Sequence, residues 1–302
     1  MSLDSAFAQY QGDLLAVADA AEFDAAALVA LGPASADAMV PFLVDTMPTV
    51  TDHYRTYAWD TSDLYMRSVE TEVLGAPRSR RPAYQPVPVA GQAAAAGYMV
   101  KSYVPVARQQ GVELAKVLAP FIARRVASYV VQATMDYAFA LSPEVPTNWR
   151  RVPRNGACAF CVYLSQFDHW SSEEHATVTA GWWQVKRNRS GHEKKYFRGP
   201  KQGLGEAFHD NCRCVAVPDT VDGLDALPRR VRARLDRYQE MSWEADQKVR
   251  EARDLAMAGG AAPAGVPSQV LEKTASRKGR GRFALTYEEA TLATMRQRFN
   301  LK

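Results

Sequence analysis

The sequence predicts an α+β protein: a mostly α-helical N-terminal domain, then a small Cys/His-bearing α+β module with a β-hairpin, then a helical basic C-terminal tail. Three observations predict it. Apolar residues recur every three or four positions through much of the first 141 residues, as an amphipathic helix requires. All four cysteines fall in two short clusters, Cys158-Ala-Phe-Cys161 and Cys212-Arg-Cys214, in a region whose texture changes to aromatics, glycines and short polar runs. Charge is polarised as well, because residues 1–75 hold twelve carboxylates against only Arg55 and Arg67, a net of −10 in a chain whose total is +4.

The acidic helical region, 1–75, begins with a helix carrying Leu14, Leu15, Ala18, Leu28, Val29 and Leu31 and ending at Gly32-Pro33. A second helix is expected over about 35–47, with Asp37 suiting the positive end of its dipole and Pro48 as its stop. A third is expected from about Thr51 to Leu74, closed by Gly75-Ala-Pro77. Residues 76–91 contain Pro77, Pro82, Pro86 and Pro88 and read as an extended linker, since each proline removes a donor and restricts its predecessor. Over 92–146 a long helix pair is expected, with the run Leu114, Val117, Leu118, Phe121, Ile122, Val126, Tyr129, Val130, Ala133, Tyr137 and Leu141 read as a long buried-face helix or a kinked pair and Pro120 as the natural break.

The module spans 147–218. Trp182-Trp-Gln-Val-Lys-Arg and Lys194-Lys-Tyr-Phe-Arg read as hairpin arms, joined by the turn-forming Asn188-Arg-Ser-Gly191. From 219 to 302 follow a basic amphipathic helix (about 225–257), a Gly/Ala/Pro linker, the basic stretch Arg277-Lys-Gly-Arg-Gly-Arg282 and a last helix near 286–299. No stretch has the roughly 20 apolar residues of a membrane span, and the start lacks the basic and apolar runs of a signal peptide, so no membrane association is expected.

Cys158, Cys161, His209, Cys212 and Cys214 form a set of five soft ligands. A Cys-x-x-Cys turn supplies two thiolates to a tetrahedral zinc ion, and Cys212 with Cys214, or His209 with Cys212, supplies the other two. Four of the five would then hold zinc. The alternative is a disulfide-linked or buried reduced set of thiols. Between Gly181 and Lys201 seven cations face a single acid, Glu193, a net of +6 in twenty-one residues. Lys186, Arg187, Arg189, Lys194, Lys195 and Arg198, with Trp182 and Trp183, are the residues expected to meet a nucleic acid, cations on phosphates and rings available for stacking. The segment Arg229-Arg-Val-Arg-Ala-Arg234 repeats the cationic chemistry.

No His-Glu-x-x-His, Gly-x-Ser-x-Gly or phosphate-binding Gly-x-x-x-x-Gly-Lys occurs, and the chain is expected not to be an enzyme. Ser165 or Ser171 with His169 or His175 is the only arrangement that a protease reading offers.

The run Arg154-Asn-Gly-Ala-Cys158-Ala-Phe-Cys161-Val-Tyr-Leu164, followed by Phe208-His209-Asp-Asn-Cys212-Arg-Cys214-Val-Ala-Val-Pro218, resembles the signature of phage Mu F-like head morphogenesis proteins, and more narrowly the minor capsid proteins of actinobacterial tailed phages. His-x-Asn-Cys-Arg-Cys is its specific part. The resemblance implies a structural minor capsid protein, associated with the portal and with major capsid or scaffold proteins, made in the host cytoplasm and placed in the virion head interior. The basic hairpin and tail make packaged DNA a further expected partner, and no small-molecule substrate is expected. Some relatives are labelled capsid maturation proteases, so the alternative is such a protease, or a DNA-contacting zinc protein acting in head assembly.

Overall fold

The structure is a computed structural model that describes residues 2–77, 80–87, 89–141, 147–154, 157, 159–165, 182–187, 193–198, 214–257, 261, 263–271, 273–274, 282–283 and 287–301. It is an α+β protein, as the sequence predicts. Two compact units are present, one formed by Met1–Arg150 with His169–Pro228, the other by Arg151–Asp168 with Arg229–Lys302.

The first unit is a bundle of four helices: α1 (Leu3–Ala30), α2 (Ala36–Leu74), α3 (Val89–Gln110) and α4 (Leu114–Leu141). Ser2 and Ser35 cap α1 and α2, each hydroxyl accepting from the backbone N–H three residues on. Along α1 the buried positions are Ala6, Phe7, Tyr10, Leu14, Ala18, Ala21, Ala25 and Val29, a stripe whose alanines let the backbone lie close against α4. Gly75, at φ +82°, ends α2 in the left-handed conformation that glycine adopts without a Cβ penalty, and its N–H donates to Thr71 O at 3.1 Å.

Two expected breaks do not occur. Pro48 lies inside a single 39-residue α2, and Pro120 lies inside α4. A proline removes one backbone bond, but along α2 Met39, Leu43, Met47, Thr51, Arg55 and Ala58 continue one buried stripe through Pro48 against α1 and α4. Burial of that stripe outweighs the lost bond. The break between α3 and α4 falls instead at Gly111, φ +64°, where the chain must turn left-handed.

Beside the bundle stand β1 (Thr147–Val152), β4 (Val215–Val221) and β5 (Leu224–Asp225), in the sheet order β1-β4-β5. The chain passes to the second unit at Arg151, within β1. Asp222 and Gly223 form the two-residue turn between β4 and β5, both at positive φ. The expected hairpin is formed by β2 (Trp182–Arg187) and β3 (Glu193–Arg198), which pair antiparallel.

The second unit contains α5 (Ala159–Leu164), the long α6 (Arg229–Met257), a short 3₁₀ turn (Ser268–Leu271), the paired strands β6 (Lys273–Thr274) and β7 (Arg282–Phe283), and α7 (Tyr287–Phe299). Val249 and Ala252 of α6, Val266, Val270 and Ala290 make its core. Among the described residues no helix is long and apolar enough to cross a membrane.

Candidate functional site

The five expected zinc ligands are only partly within view. Cys161, on α5, is 3% exposed, and Cys214, immediately before β4, is 1% exposed. Cys158, His209 and Cys212 lie outside the described residues. Burial of both visible thiols fits a closed structural role, for either metal or sulfur chemistry, better than that of an accessible nucleophile.

Of the expected nucleic-acid-binding residues, Lys186, Arg187, Lys194, Lys195, Arg198, Trp182 and Trp183 sit on the hairpin ladder, whereas Arg189 lies outside the described residues. The register pairs Trp182 with Arg198, Trp183 with Phe197, Gln184 with Tyr196, Val185 with Lys195, Lys186 with Lys194 and Arg187 with Glu193. Because a strand alternates faces, Trp182, Gln184, Lys186, Lys194, Tyr196 and Arg198 hold positions on one face of the ladder. The other face carries positions 183, 185, 187, 193, 195 and 197. The backbone thus sorts three cations and two aromatics onto one face. Opposite it, a more apolar set carries Arg187 and Lys195 with the acid Glu193.

Of the residues in the protease reading, Ser165 is described. It is 2% exposed and its hydroxyl donates to Val162 O at 2.8 Å, a bond that closes the end of α5. Ser171, His169 and His175 lie outside the described residues.

A buried polar network in the helical bundle was not flagged by the sequence. Arg55, 1% exposed, projects from the middle of α2 and donates to Tyr129 O at 2.6 Å, to Asp136 Oδ2 at 2.7 Å and to Gln85 O at 3.1 Å. Burial pushes the Asp136 carboxyl above the usual carboxylate range, and the Arg55 charge pulls against that. Two turns further along α2, Asp63 accepts from Tyr137 at 3.0 Å and from Arg67 at 2.9 Å. Tyr137 is held well above the ordinary phenol range, first by burial and then by the Asp63 charge. Across the bundle, Tyr10 OH donates to Ala216 O at 3.3 Å, and Ala216 N donates to Thr134 Oγ1 at 3.2 Å, which joins β4 to the helices.

This network ties down the proline-rich strap, residues 80–87. Trp59 Nε1 donates to Pro82 O at 3.1 Å, Tyr84 OH and Val87 N both donate to Asp52 Oδ1, at 2.9 and 3.4 Å, and Arg81 pairs with Asp60. Burial, followed by the bond to Asp52, lifts the Tyr84 phenol to about 12. A segment that prolines keep out of helix is therefore pinned to α2 in both directions: its Pro82 and Gln85 carbonyls accept, while Tyr84, Val87 and Arg81 donate to Asp52 and Asp60. Single residues such as Arg55 and Asp52 gave no periodic signal that they bind it. The usable hint was one arginine falling in the otherwise uncharged i, i+4 series Met47, Thr51, Arg55.

Where the strap meets α3 and α4, a groove of about 930 Å³ opens, lined by Val87, Tyr98, Met99, Tyr103, Phe121 and Tyr129 among others. Tyr103 and Phe121 stack at 4.1 Å, and the Arg125 guanidinium lies 4.8 Å from the centre of the Tyr129 ring. Its walls are largely aromatic, and the Arg125 charge in them is already engaged by a ring.

No curated protein and no solved structure matches the chain. A family model described as VG15 protein matches residues 1–241, which takes in the whole helical bundle, both cysteine clusters, the hairpin and the start of α6. The chain therefore belongs to the VG15 protein family, a family of phage proteins.

Proposed function

We propose that this chain is a structural minor capsid protein of phage head morphogenesis, associated with the portal and the capsid interior. The observation that carries the reading is the VG15 match over residues 1–241, which includes the Cys158/Cys161 and His209/Cys212/Cys214 motifs that resemble head morphogenesis proteins. The architecture supports it: a helical bundle whose strap is pinned by side chains, with a strongly cationic hairpin in the same chain, is suited to bridging protein and polyanion. The test is location. Purified virions and DNA-free proheads, cross-linked and digested, should yield this chain in few copies with cross-links to the portal. Its absence from both particles, or its presence only in the soluble lysate, would overturn the reading.

Packaged DNA is the polyanion the hairpin fits, because the ladder places Lys186, Lys194 and Arg198 on one face with Trp182 and Tyr196. Charge reversal at Lys186, Arg187, Lys194 and Lys195 should weaken duplex binding at least tenfold at low salt and flatten the slope of log K against log salt concentration. An unchanged slope would remove the hairpin from DNA contact.

A further inference from the structure

The buried stripe of α6 consists of Val231, Leu235, Tyr238, Ser242, Ala245, Val249 and Ala252, at the spacing that faces a helix toward its core. Asp236, Glu240 and Trp243, spaced by four and three, run along an adjacent face. The indole of Trp243 is 66% exposed, although a side chain of this size is usually highly buried. It borders a cavity of about 470 Å³, lined also by Tyr163 of α5 and by the carboxylates of Asp236, Glu240 and Asp246. That volume lies within the range of small-ligand sites.

We propose that this pocket receives an arginine side chain from an extended segment of a partner protein. Glu240 and Asp246 stand three residues before and after Trp243, so both carboxylates lie within a turn of the indole. A cation stacked on the ring therefore has acids on both sides. Asp246 already pairs with Arg250 at 3.0 Å, whereas Asp236 and Glu240 form no ion pair among the described residues. Among the described residues no cation lines the cavity, so a phosphate would meet carboxylates there. Guanidinium fits better than ammonium because it is planar, stacks on tryptophan and satisfies carboxylates through several fixed donors. The assignment does not depend on the phage-head reading, since it rests on the chemistry of α5 and α6 alone.

The experiment uses the full chain and a capped Gly-Gly-Arg-Gly-Arg-Gly-Gly peptide, with the citrulline version as its neutral isostere, followed by calorimetry at low and moderate salt. The arginine peptide should bind and the citrulline peptide should bind at least fivefold more weakly. Trp243→Ala should reduce the affinity roughly threefold to thirtyfold, the range of a cation–π contact. Glu240→Gln should reduce both affinity and its salt dependence. All these positions face solvent, and circular dichroism checks that the variants remain folded. Equal binding of the two peptides, or an unaffected Trp243→Ala variant, would overturn the proposal. So would Trp243-dependent binding of oligothymidylate without peptide binding, which would make the indole a base-stacking platform, or Trp243-dependent self-association without peptide binding, which would assign the pocket to a second copy.

Discussion

Replacing Arg55 by alanine should destabilise the helical bundle by about 3–5 kcal/mol, the range found when one partner of a buried ion pair is removed. The wild-type guanidinium makes three bonds, to Tyr129 O, Asp136 Oδ2 and Gln85 O, and is 1% exposed. Its loss strands a largely desolvated carboxylate and two carbonyls at once, and each unsatisfied group has its own cost. Domains commonly have only about 5–15 kcal/mol of stability in total, so the change takes a large share of it. A urea midpoint lowered by more than about 1 M, followed by far-ultraviolet circular dichroism, is the expected result. Arg55→Met with Asp136→Leu should recover much of the loss, because an apolar pair of similar volume leaves no buried charge. A double variant no more stable than Arg55→Ala would mean that Arg55 acts through the strap carbonyl and packing, with little contribution from Asp136.

The same pair gives a pH signature. In the folded protein Asp136 titrates above the ordinary carboxyl value because burial dominates, with Arg55 opposing. A carboxyl whose folded pKa is raised binds its proton more tightly folded than unfolded, so its contribution is full below the unfolded pKa and is lost as pH rises through the folded one. Without Arg55 the opposing pull disappears and the folded pKa climbs further, so the loss extends toward neutral pH. The deficit of Arg55→Ala relative to the wild type should therefore shrink between pH 7 and pH 5, as Asp136 takes up a proton. Parallel stability curves across that range would exclude a charged Asp136 as the source of the deficit.

Much of this architecture is legible in the chain because it is periodic or local. Helix faces appear as runs such as Leu14, Ala18, Ala21 and Ala25, and the β2–β3 hairpin appears as two cationic, aromatic arms around turn residues. Pro48 and Pro120 misled in the same way: the cost of a proline is local and visible, whereas the stripe of contacts that overrides it belongs to helices far away in sequence. The Arg55–Asp136 pair spans 81 positions and the Tyr10–Ala216 bond spans 206, separations at which a single sequence has no means of pairing residues. The cysteine clusters are legible as a constellation. Their spacing alone does not choose between zinc and sulfur bonding, because both chemistries draw thiols away from solvent, and the burial of Cys161 and Cys214 suits either.

Trp59→Ala should cost about 3–5 kcal/mol and should also release the strap. Trp59 is completely buried, and its ring meets Tyr84 edge-on at 5.6 Å and Tyr137 at 5.3 Å. Its indole N–H holds Pro82 O, so truncation opens a cavity in the bundle and removes the bond that seats the strap. Trp59→Phe separates the two effects. Phenylalanine refills much of the volume but has no donor, so it should cost roughly 1–3 kcal/mol, part of it the stranded carbonyl. Arg80 places a trypsin site in the strap at the Arg80–Arg81 bond, since Arg81 precedes Pro82 and is not cleaved, and Arg81 is paired with Asp60 while the strap is seated. Under native conditions both variants should therefore be cut at Arg80–Arg81 faster than the wild type, by more than global unfolding alone would give. The control is a substitution elsewhere in the core, such as Leu118→Ala, of comparable global cost. If that control is cut at Arg80–Arg81 as fast as Trp59→Phe, the strap is held by the stability of the bundle as a whole. Selective cutting in the Trp59 variants assigns its seating to the indole bond.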